Sequence, residues 1–336
     1  MPPLDARLTE ALQLIDAPDA VVGISRRGRR TVVGSGGVVR PLRYELGSLS
    51  KTFTVLLAAR MADEGVIGLD DSLAAHLPVH RTPITLRHLA THTSGLPRVP
   101  HDLLPGVLLH PRRNPYTRYG TDQLLAAFSR ARLRHAPGTH WNYSNFGVAL
   151  LGQALARAAG TPYPDLLAER VLTPLGLTRT GATPAPTDAV GHRKDGVTRV
   201  PCTSMGAFAP AASVRATPAD LLTYVEAHLA PGGPLGPALR RVVVPQLRRG
   251  RPPETHTLTW FQHDTEHGPV LFHSGATFGQ QAYAGFHPAS GTAVVALANR
   301  HHRGCRLVPV AHELLHALAA TATPPAVPAE SGRADA

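Results

Sequence analysis

The 336-residue sequence predicts an α/β fold of the α+β kind, an antiparallel sheet flanked by helices with an inserted α-helical subdomain. Two strand patterns stand near the start of the chain, four stand near its end, and a helical pattern follows the last of them. Helical patterns interrupted by Pro and Gly fill roughly residues 80 to 250. One sheet assembled from both ends of the chain, with the helical middle beside it, accounts for this order.

This arrangement predicts a division of the chain. We expect residues 1–80 and 256–322 to form the sheet subdomain and residues 81–255 to form the helical subdomain. Residues 323–336 are expected to be a disordered tail, because TPPAVPAESGRADA is polar and rich in Pro.

The first elements are a helix and a hairpin. LTEALQLI has helical spacing, and AVVGIS and TVVGSGGVV are strand patterns joined by the polar turn RRGRR. YELGS leads into a predicted helix that starts at Ser48, SLSKTFTVLLAARMADEG. Its apolar run from Phe53 to Ala59 covers all sides and predicts a buried helix, and Gly65 is placed to end it.

The later elements follow in the same way. TDQLLAAFSRARL, NFGVALLGQALARAAG, YPDLLAERVL and TPADLLTYVEAHL are helical patterns, and Thr217 before Pro218 is a predicted helix cap. THTLTWFQHD, PVLFHSG, QAYAGFHP and TAVVALANR are strand patterns. LVPVAHELLHALAA is the last predicted helix.

The composition excludes several classes of function. The formal charge is +11, but the Arg pairs are scattered and not interleaved with aromatic residues, so we expect no nucleic-acid partner. The longest apolar run is too short to span a bilayer. The N-terminus lacks the features of an export signal, which predicts a cytoplasmic protein unless such a signal has been removed. Cys202 and Cys305 are then expected to be free thiols.

Lysine is nearly absent from this chain. Lys51 and Lys194 are the only lysines among 34 basic residues. Lys194 lies in the polar turn RKDG and needs no special explanation. Because Lys can give up its proton and Arg cannot, a retained Lys51 indicates a role in proton transfer.

Ser48 and Lys51 form an S-x-x-K motif at a helix start. Positions i and i+3 lie on one helix face, so the Ser48 hydroxyl and the Lys51 amine can meet. Burial and the helix N-terminus both favour the neutral amine, which can activate a serine. A capping Ser with a surface Lys is the alternative.

Two further motifs accompany the first. Tyr143-Ser144-Asn145 opens a helix and offers a proton shuttle, if nearby cations lower the tyrosine pKa, and an amide. The alternative is a core aromatic followed by a helix cap. His273-Ser274-Gly275 ends a strand, where a glycine lets a substrate lie against the strand edge.

The ordered segments GSLSKTFT, LRHLATHTSGLP, NYSNFGVALLG, TPLGLTRT and FHSGATFG resemble the landmarks of the class C β-lactamase-related serine hydrolases. That family includes esterases, D-aminopeptidases, DD-peptidases, acyltransferases and β-lactamases. The resemblance covers roughly residues 20 to 320 and implies the β-lactamase/transpeptidase-like fold. It also implies that Ser48 is the acylated nucleophile, Lys51 its partner and Tyr143 the proton shuttle.

The resemblance assigns the remaining site residues as well. It implies that Asn145 orients the substrate and that the N–H groups of Ser48 and Ala276 form the oxyanion hole, with His273, Ser274 and Gly275 lining the substrate. His273 departs from the usual Lys of this motif. A mostly neutral His anchors a substrate carboxylate less firmly than Lys does, as in esterase members of the family.

His312-Glu313-Leu314-Leu315-His316 matches the H-E-x-x-H pattern of zinc hydrolases. A catalytic zinc needs a third protein ligand, which in those enzymes lies downstream, and no His follows His316 here. We therefore expect a terminal helix packed on the sheet, and keep the zinc metallohydrolase as a distant alternative. His88 and His92 are interpreted as structural.

The sequence thus predicts a serine hydrolase or acyltransferase, most simply an esterase or transacylase of a biosynthetic pathway, that forms an acyl-Ser48 intermediate from an ester, amide or lactam. A β-lactamase, a D-Ala-D-Ala carboxypeptidase or a D-aminopeptidase is the alternative, and a non-enzymatic binding protein is a further one. The expected partners are a small acyl donor and water, an amine or an alcohol. Neither a cofactor nor a membrane partner is implied, and no oligomeric state. The Pro-rich segment 99–120 is expected to form one wall of the site.

Overall fold

A computed structural model describes residues 4–103, 114–202, 204–250 and 254–321. Its helices are α1 (Leu4–Gln13), α2 (Ser50–Asp63), α3 (Leu73–His76), α4 (Leu86–Ala90), α5 (Thr121–Arg130), α6 (Asn145–Ala159), α7 (Tyr163–Leu167), α8 (Ala209–Ala212), α9 (Pro218–Leu229), α10 (Gly236–Val242) and α11 (Leu307–Ala320). Its strands are β1 (Ala20–Arg26), β2 (Arg29–Gly34), β3 (Tyr44–Glu45), β4 (Thr180–Gly181), β5 (Gly191–His192), β6 (Arg199–Val200), β7 (Arg215–Ala216), β8 (Leu247–Arg249), β9 (Glu254–His256), β10 (Phe261–Thr265), β11 (Gly268–Ala276), β12 (Gln281–His287) and β13 (Thr292–Ala298).

The main sheet joins the two ends of the chain, as predicted. Its strand order is β2-β1-β13-β12-β11-β10-β9-β8, and every neighbouring pair is antiparallel. The β1–β2 hairpin turns through Arg27 and Gly28, whose φ angles are 50° and 80°. Positive φ at both positions matches the strand twist, so the polar RRGRR segment closes a tight turn.

Helices cover both faces of the sheet. Val22 of β1 and Ala296 of β13 pack with α1 and α11, whereas Val21 and Val295 face the cluster that contains α2, α6 and α9. We call these the outer and the inner face. Every residue of β13 is buried, which explains its unbroken apolar pattern. The predicted fold class is therefore confirmed.

Local signals place the helices as expected. α2 is buried nearly all round from Ser50 to Ala59, and Gly65 follows it with φ 73°, the conformation of a helix-ending glycine. The Thr217 side chain accepts a hydrogen bond from the Asp220 N–H, and Pro218 occupies the first helical position of α9.

Two features differ from the sequence expectation. THTLTWFQHD divides between β9 and β10 because the Thr257 hydroxyl accepts hydrogen bonds from the N–H groups of Thr259 and Trp260 and forms a turn. β8 and most of β9 join the sheet although they precede residue 256, so the boundary between the two subdomains stays a prediction. The expected tail, 323–336, lies outside the described residues.

Two simpler expectations can also be compared with the structure. Cys202 and Cys305 are both free thiols. Among the residues that the structure describes, no helix is both long enough and apolar enough to cross a bilayer.

Candidate active site

Ser48 lies in a 3₁₀ turn, Gly47–Leu49, directly before α2. Gly47 has φ 50°, and a side chain there would place its Cβ 2.5 Å from the Ala276 carbonyl oxygen at the end of β11. Only glycine therefore allows the turn to contact the strand so closely. The contact holds the half-buried Ser48 beside the sheet.

The neighbouring serine has a different environment. Ser50 is fully buried, and its hydroxyl accepts a hydrogen bond from the Val214 N–H at 2.9 Å. A buried hydroxyl that satisfies a backbone donor contributes to the fold. Ser48 is thus the serine of this segment that a substrate can reach.

Lys51 directs its amine at Ser48. Its Nζ lies 3.1 Å from Ser48 Oγ and 2.8 Å from the Ala211 carbonyl oxygen, and the residue is 1% exposed. Burial lowers the pKa of Lys51 well below 10.5, and the nearby positive charge of Arg98 lowers it further. The uncharged amine that results can accept the Ser48 proton. The compositional argument for Lys51 thus agrees with its environment.

Tyr143 completes the group around the serine. Its hydroxyl hydrogen-bonds Ser48, its ring centroid is 4.9 Å from Lys51 Nζ, and the Arg98 guanidinium lies 5.1 Å from that centroid. Burial raises the pKa of Tyr143 to about 12 and outweighs the hydrogen bond and the Arg98 charge, which lower it. The lowering by cations that a tyrosine shuttle was expected to need is thus present but smaller than the effect of burial, so Tyr143 is a protonated phenol at neutral pH.

His92 supports Tyr143. The two ring centroids are 4.4 Å apart, and His92 Nδ1 accepts a hydrogen bond from the Ser144 N–H. Burial lowers the pKa of His92 well below 6.5, so the ring is neutral and can accept this bond. His88 Nδ1 accepts from the Thr85 N–H and caps α4. Both histidines are therefore structural, as predicted.

Asn145 is the first residue of α6 and has an unused acceptor. Its amide hydrogen-bonds the Tyr116 hydroxyl, whereas its Oδ1 is buried and has no partner among the described residues. A buried carbonyl oxygen without a donor is costly, so a substrate N–H that reaches it would be favoured. Tyr116 belongs to the segment 99–120 expected to form a wall, of which 104–113 lie outside the described residues.

His273 lies on the inner face of β11 and is 2% exposed. Its Nδ1–H donates to the Ser274 carbonyl oxygen at 2.8 Å. Burial and the nearby Lys51 lower the pKa of His273 to about 3. The imidazole is therefore uncharged at neutral pH, as the sequence predicted, and cannot anchor an anion by charge.

The end of β11 brings two backbone donors together. A Cβ on Gly275 would lie 1.9 Å from the Leu46 carbonyl oxygen and 2.6 Å from the Ser48 nitrogen, so this strand end contacts the nucleophile turn through bare backbone. The Ala276 nitrogen lies 2.6 Å from the position that a Gly47 Cβ would occupy. These short separations place the turn that carries Ser48 against the end of β11, and the assignment of the Ser48 and Ala276 N–H groups to an oxyanion hole stays a prediction.

Sequence reasoning missed Arg98 and the Ala211 carbonyl. The Arg98 carbonyl oxygen accepts hydrogen bonds from the N–H groups of Asn145 and Phe146, which places the exposed Arg98 side chain beside Tyr143. No motif or spacing indicates this approach, because it depends on pairing between distant loops.

The H-E-x-x-H residues lie elsewhere. His312 contacts Phe272, which lies on the outer face of β11, the face opposite His273. Glu313 is exposed and does not belong to the histidine cluster around His312. Glu313 therefore lacks the position beside the histidines that the base of a zinc hydrolase would need.

Comparison with curated proteins identifies relatives of known name. The chain is 33% identical over 229 residues to the D-alanyl-D-alanine-carboxypeptidase/endopeptidase AmpH of Escherichia coli, an alignment that covers 65% of this chain and 57% of that protein. It is 28% identical over 318 residues to a beta-lactamase of Pseudomonas fluorescens, which covers 82% of this chain and 84% of the relative. The chain thus spans little more than half the length of AmpH.

Solved structures share the fold. A beta-lactamase/D-alanine carboxypeptidase from Pseudomonas syringae superposes with a TM-score of 0.80 at 24% identity, over 93% of this chain and 98% of that one. A class C beta lactamase from Rhodobacter sphaeroides gives 0.79 at 23% identity, over 94% and 98%. The family model described as Beta-lactamase matches residues 4–317. With nearly the whole described chain matched, the chain belongs to the Beta-lactamase family.

Proposed function

We propose that the protein is an acyl-Ser48 hydrolase or transacylase that prefers uncharged acyl donors, above all esters. The observation that carries the nucleophile assignment is the contact of the buried Lys51 amine with Ser48 Oγ at 3.1 Å. Lys51 takes the hydroxyl proton as Ser48 Oγ forms a bond to the substrate carbonyl carbon. The N–H groups of Ser48 and Ala276 stabilise the oxyanion that forms.

Tyr143 is proposed to relay the proton. The leaving alkoxide needs a proton as its bond to the carbonyl carbon breaks, and the protonated Tyr143 phenol, hydrogen-bonded to Ser48, can supply it and recover one from Lys51. The acyl group then remains on Ser48. Water or another nucleophile attacks the acyl carbon, passes its proton to the same pair, and frees the Ser48 hydroxyl.

His273 supports the preference for uncharged donors. A carboxylate-bearing substrate would have to place its anion beside a buried, uncharged imidazole instead of a cation. Removing a carboxylate from water without a compensating charge is costly. An ester without a carboxylate avoids this cost.

A second candidate, a D-Ala-D-Ala peptidase or β-lactamase, is favoured by a specific observation. Arg98 is exposed beside Tyr143, and within the described chain its guanidinium has no carboxylate partner. An arginine fork can bind a substrate carboxylate in two hydrogen bonds. The names of the relatives above agree with such substrates.

One comparison decides between the two candidates. We expect kcat/KM for p-nitrophenyl acetate to exceed that for nitrocefin and for a D-Ala-D-Ala peptide in the same buffer. Intact-mass detection of the acyl adduct on Ser48 checks the intermediate, and a fluorophosphonate probe tests whether the protein is an enzyme at all. If nitrocefin or the peptide is preferred by about tenfold, or 1.4 kcal/mol, the ester preference is overturned.

Arg98→Ala separates the two explanations further. If Arg98 anchors a carboxylate, Arg98→Ala lowers kcat/KM for nitrocefin and leaves p-nitrophenyl acetate unchanged. If the ester preference holds, Arg98→Ala affects both substrates alike. Failure of both substrates to acylate Ser48 would contradict the proposed function itself.

A further inference from the structure

Three imidazoles converge on the outer face of the sheet, away from the candidate active site. His312 and His316 are one helical turn apart on α11, and His263 lies on the neighbouring strand β10. Their facing nitrogens all lie within 4.8 Å of one another. The helix motif thus has a third histidine, which comes from an upstream strand and not from the chain that follows.

The spacing of these nitrogens fits a bound ion. His312 Nε2 lies 3.2 Å from His263 Nδ1 and 3.1 Å from His316 Nε2. A tetrahedral zinc ion with Zn–N bonds of about 2.0–2.1 Å holds its nitrogen ligands about 3.3 Å apart. Hydrogen bonds between the three rings cannot satisfy all of these nitrogens. His312 Nε2 has one proton or one lone pair, so it can form a good hydrogen bond with only one of its two neighbours.

Groups outside the cluster lie beside the other nitrogen of two of the rings. His312 Nδ1 lies 3.0 Å from the hydroxyl of the fully buried Tyr283, to which an Nδ1–H can donate, and this leaves the Nε2 lone pair free to bind. Glu254 Oε1 lies 3.7 Å from His263 Nε2 and adds a negative charge on the far side of that ring. An outer carboxylate or hydroxyl on a ligating histidine is typical of metal sites.

We propose that His263, His312 and His316 bind a divalent transition-metal ion of the Zn²⁺ type, with the fourth position open to water. Three imidazoles favour Zn²⁺, Cu²⁺, Ni²⁺ or Co²⁺ over Mg²⁺ and Ca²⁺, which prefer oxygen. The ion joins α11 to β10 across the sheet face opposite Ser48. It takes no part in the acyl chemistry, since Phe272 contacts His312 while the next residue, His273, faces the inner side.

Titration of the full-length, untagged, chelator-treated protein with Zn²⁺ tests this proposal. Calorimetry should show one ion per chain with micromolar or tighter affinity, and excess Mg²⁺ should not compete. At a hundredfold excess over Kd, the melting temperature should rise by about 5 °C. Co²⁺ should give visible absorption bands, a readout that depends on neither stability nor activity.

Matched variants identify the ligands. Tyr283→Phe removes a hydrogen-bond partner of a ligand and should weaken Zn²⁺ binding by ~10–100-fold. His263→Gln and His316→Gln each remove a ligand and should weaken Zn²⁺ binding at least as much. His80→Gln, at an exposed histidine outside the cluster, should bind Zn²⁺ like the wild type. Circular dichroism checks that each variant is folded. Because His263 is partly exposed, its replacement should leave the fold intact.

Two results would overturn the proposal. One is wild-type protein that binds no Zn²⁺ under these conditions. The other is binding that His263→Gln and His316→Gln leave unchanged, which would assign the ion to other histidines of the chain.

Discussion

The two faces of β11 place histidine in opposite situations. On the inner face, His273 is a single buried imidazole whose Nδ1–H is donated to the next carbonyl oxygen. On the outer face, Phe272 contacts His312, whose Nε2 has two further histidine nitrogens within 3.2 Å. Burial keeps His273 and His312 uncharged. Their neighbours differ, and on these neighbours we base the proposals that His273 lines the substrate and that His312 binds an ion.

Neighbouring residues of one strand can belong to two different sites. A strand alternates its side chains between two faces, so adjacent residues can serve unrelated purposes. The resemblance to serine hydrolases concerns the inner face, and the helix motif concerns the outer face. The two motifs are therefore not rivals, and each can be perturbed without the other.

The largest expected effect separates Ser48 from Ser50. Ser48→Ala should abolish acyl-adduct formation in intact-mass spectra while the melting temperature and Zn²⁺ binding stay as in the wild type. Ser50→Ala should retain the adduct but lose about 1–3 kcal/mol of stability, because the buried Val214 N–H loses its acceptor. Wild-type turnover by Ser48→Ala would show that the nucleophile is another residue.

The next effect concerns proton transfer on the inner face. Lys51→Arg should lower kcat by about 10²–10⁴, nearly as much as Lys51→Ala, because Arg keeps its proton. In the wild type, kcat/KM should rise with pH as Lys51 loses its proton, well below pH 10.5, and this limb should disappear in Lys51→Arg. Near-normal rates for Lys51→Arg would mean that a fixed positive charge suffices.

A smaller effect tests the unused acceptor of Asn145. Asn145→Ala should reduce kcat/KM by up to about tenfold for amide substrates with an N–H near the carbonyl, and less for p-nitrophenyl acetate, which has none. Tyr116→Phe is the control, since it removes the hydroxyl that Asn145 contacts and leaves the amide in place. Equal losses for both substrates would assign Asn145 a purely structural role.

The smallest effect tests His273. His273→Lys should improve kcat/KM for nitrocefin relative to p-nitrophenyl acetate by roughly fivefold at most, corresponding to about 1 kcal/mol. The gain has this limit because residue 273 is buried, so a new ammonium group there would lose its hydration. If His273→Lys leaves the ratio of kcat/KM for nitrocefin to kcat/KM for p-nitrophenyl acetate unchanged, and Zn²⁺ binding is also unchanged, residue 273 does not select substrates by charge.

The sequence predicted much of the fold because its signals are local. Periodicity placed α2, α9, α11 and the strands of both chain ends, and Thr217 and Gly65 marked helix ends through short-range hydrogen bonding and backbone conformation. The S-x-x-K motif likewise depends on one helical turn, so the approach of Lys51 to Ser48 could be predicted.

Tertiary structure alone decided what distant segments do to one another. Burial raises the pKa of Tyr143 although cations lie nearby, and Arg98 reaches Tyr143 through backbone pairing with the start of α6. His263 meets His312 and His316 because β10 and α11 share the outer face, whereas the sequence argument looked for a ligand only downstream. Desolvation and contacts between distant segments depend on which residues the folded chain brings together. The spacing of residues along the sequence does not specify this.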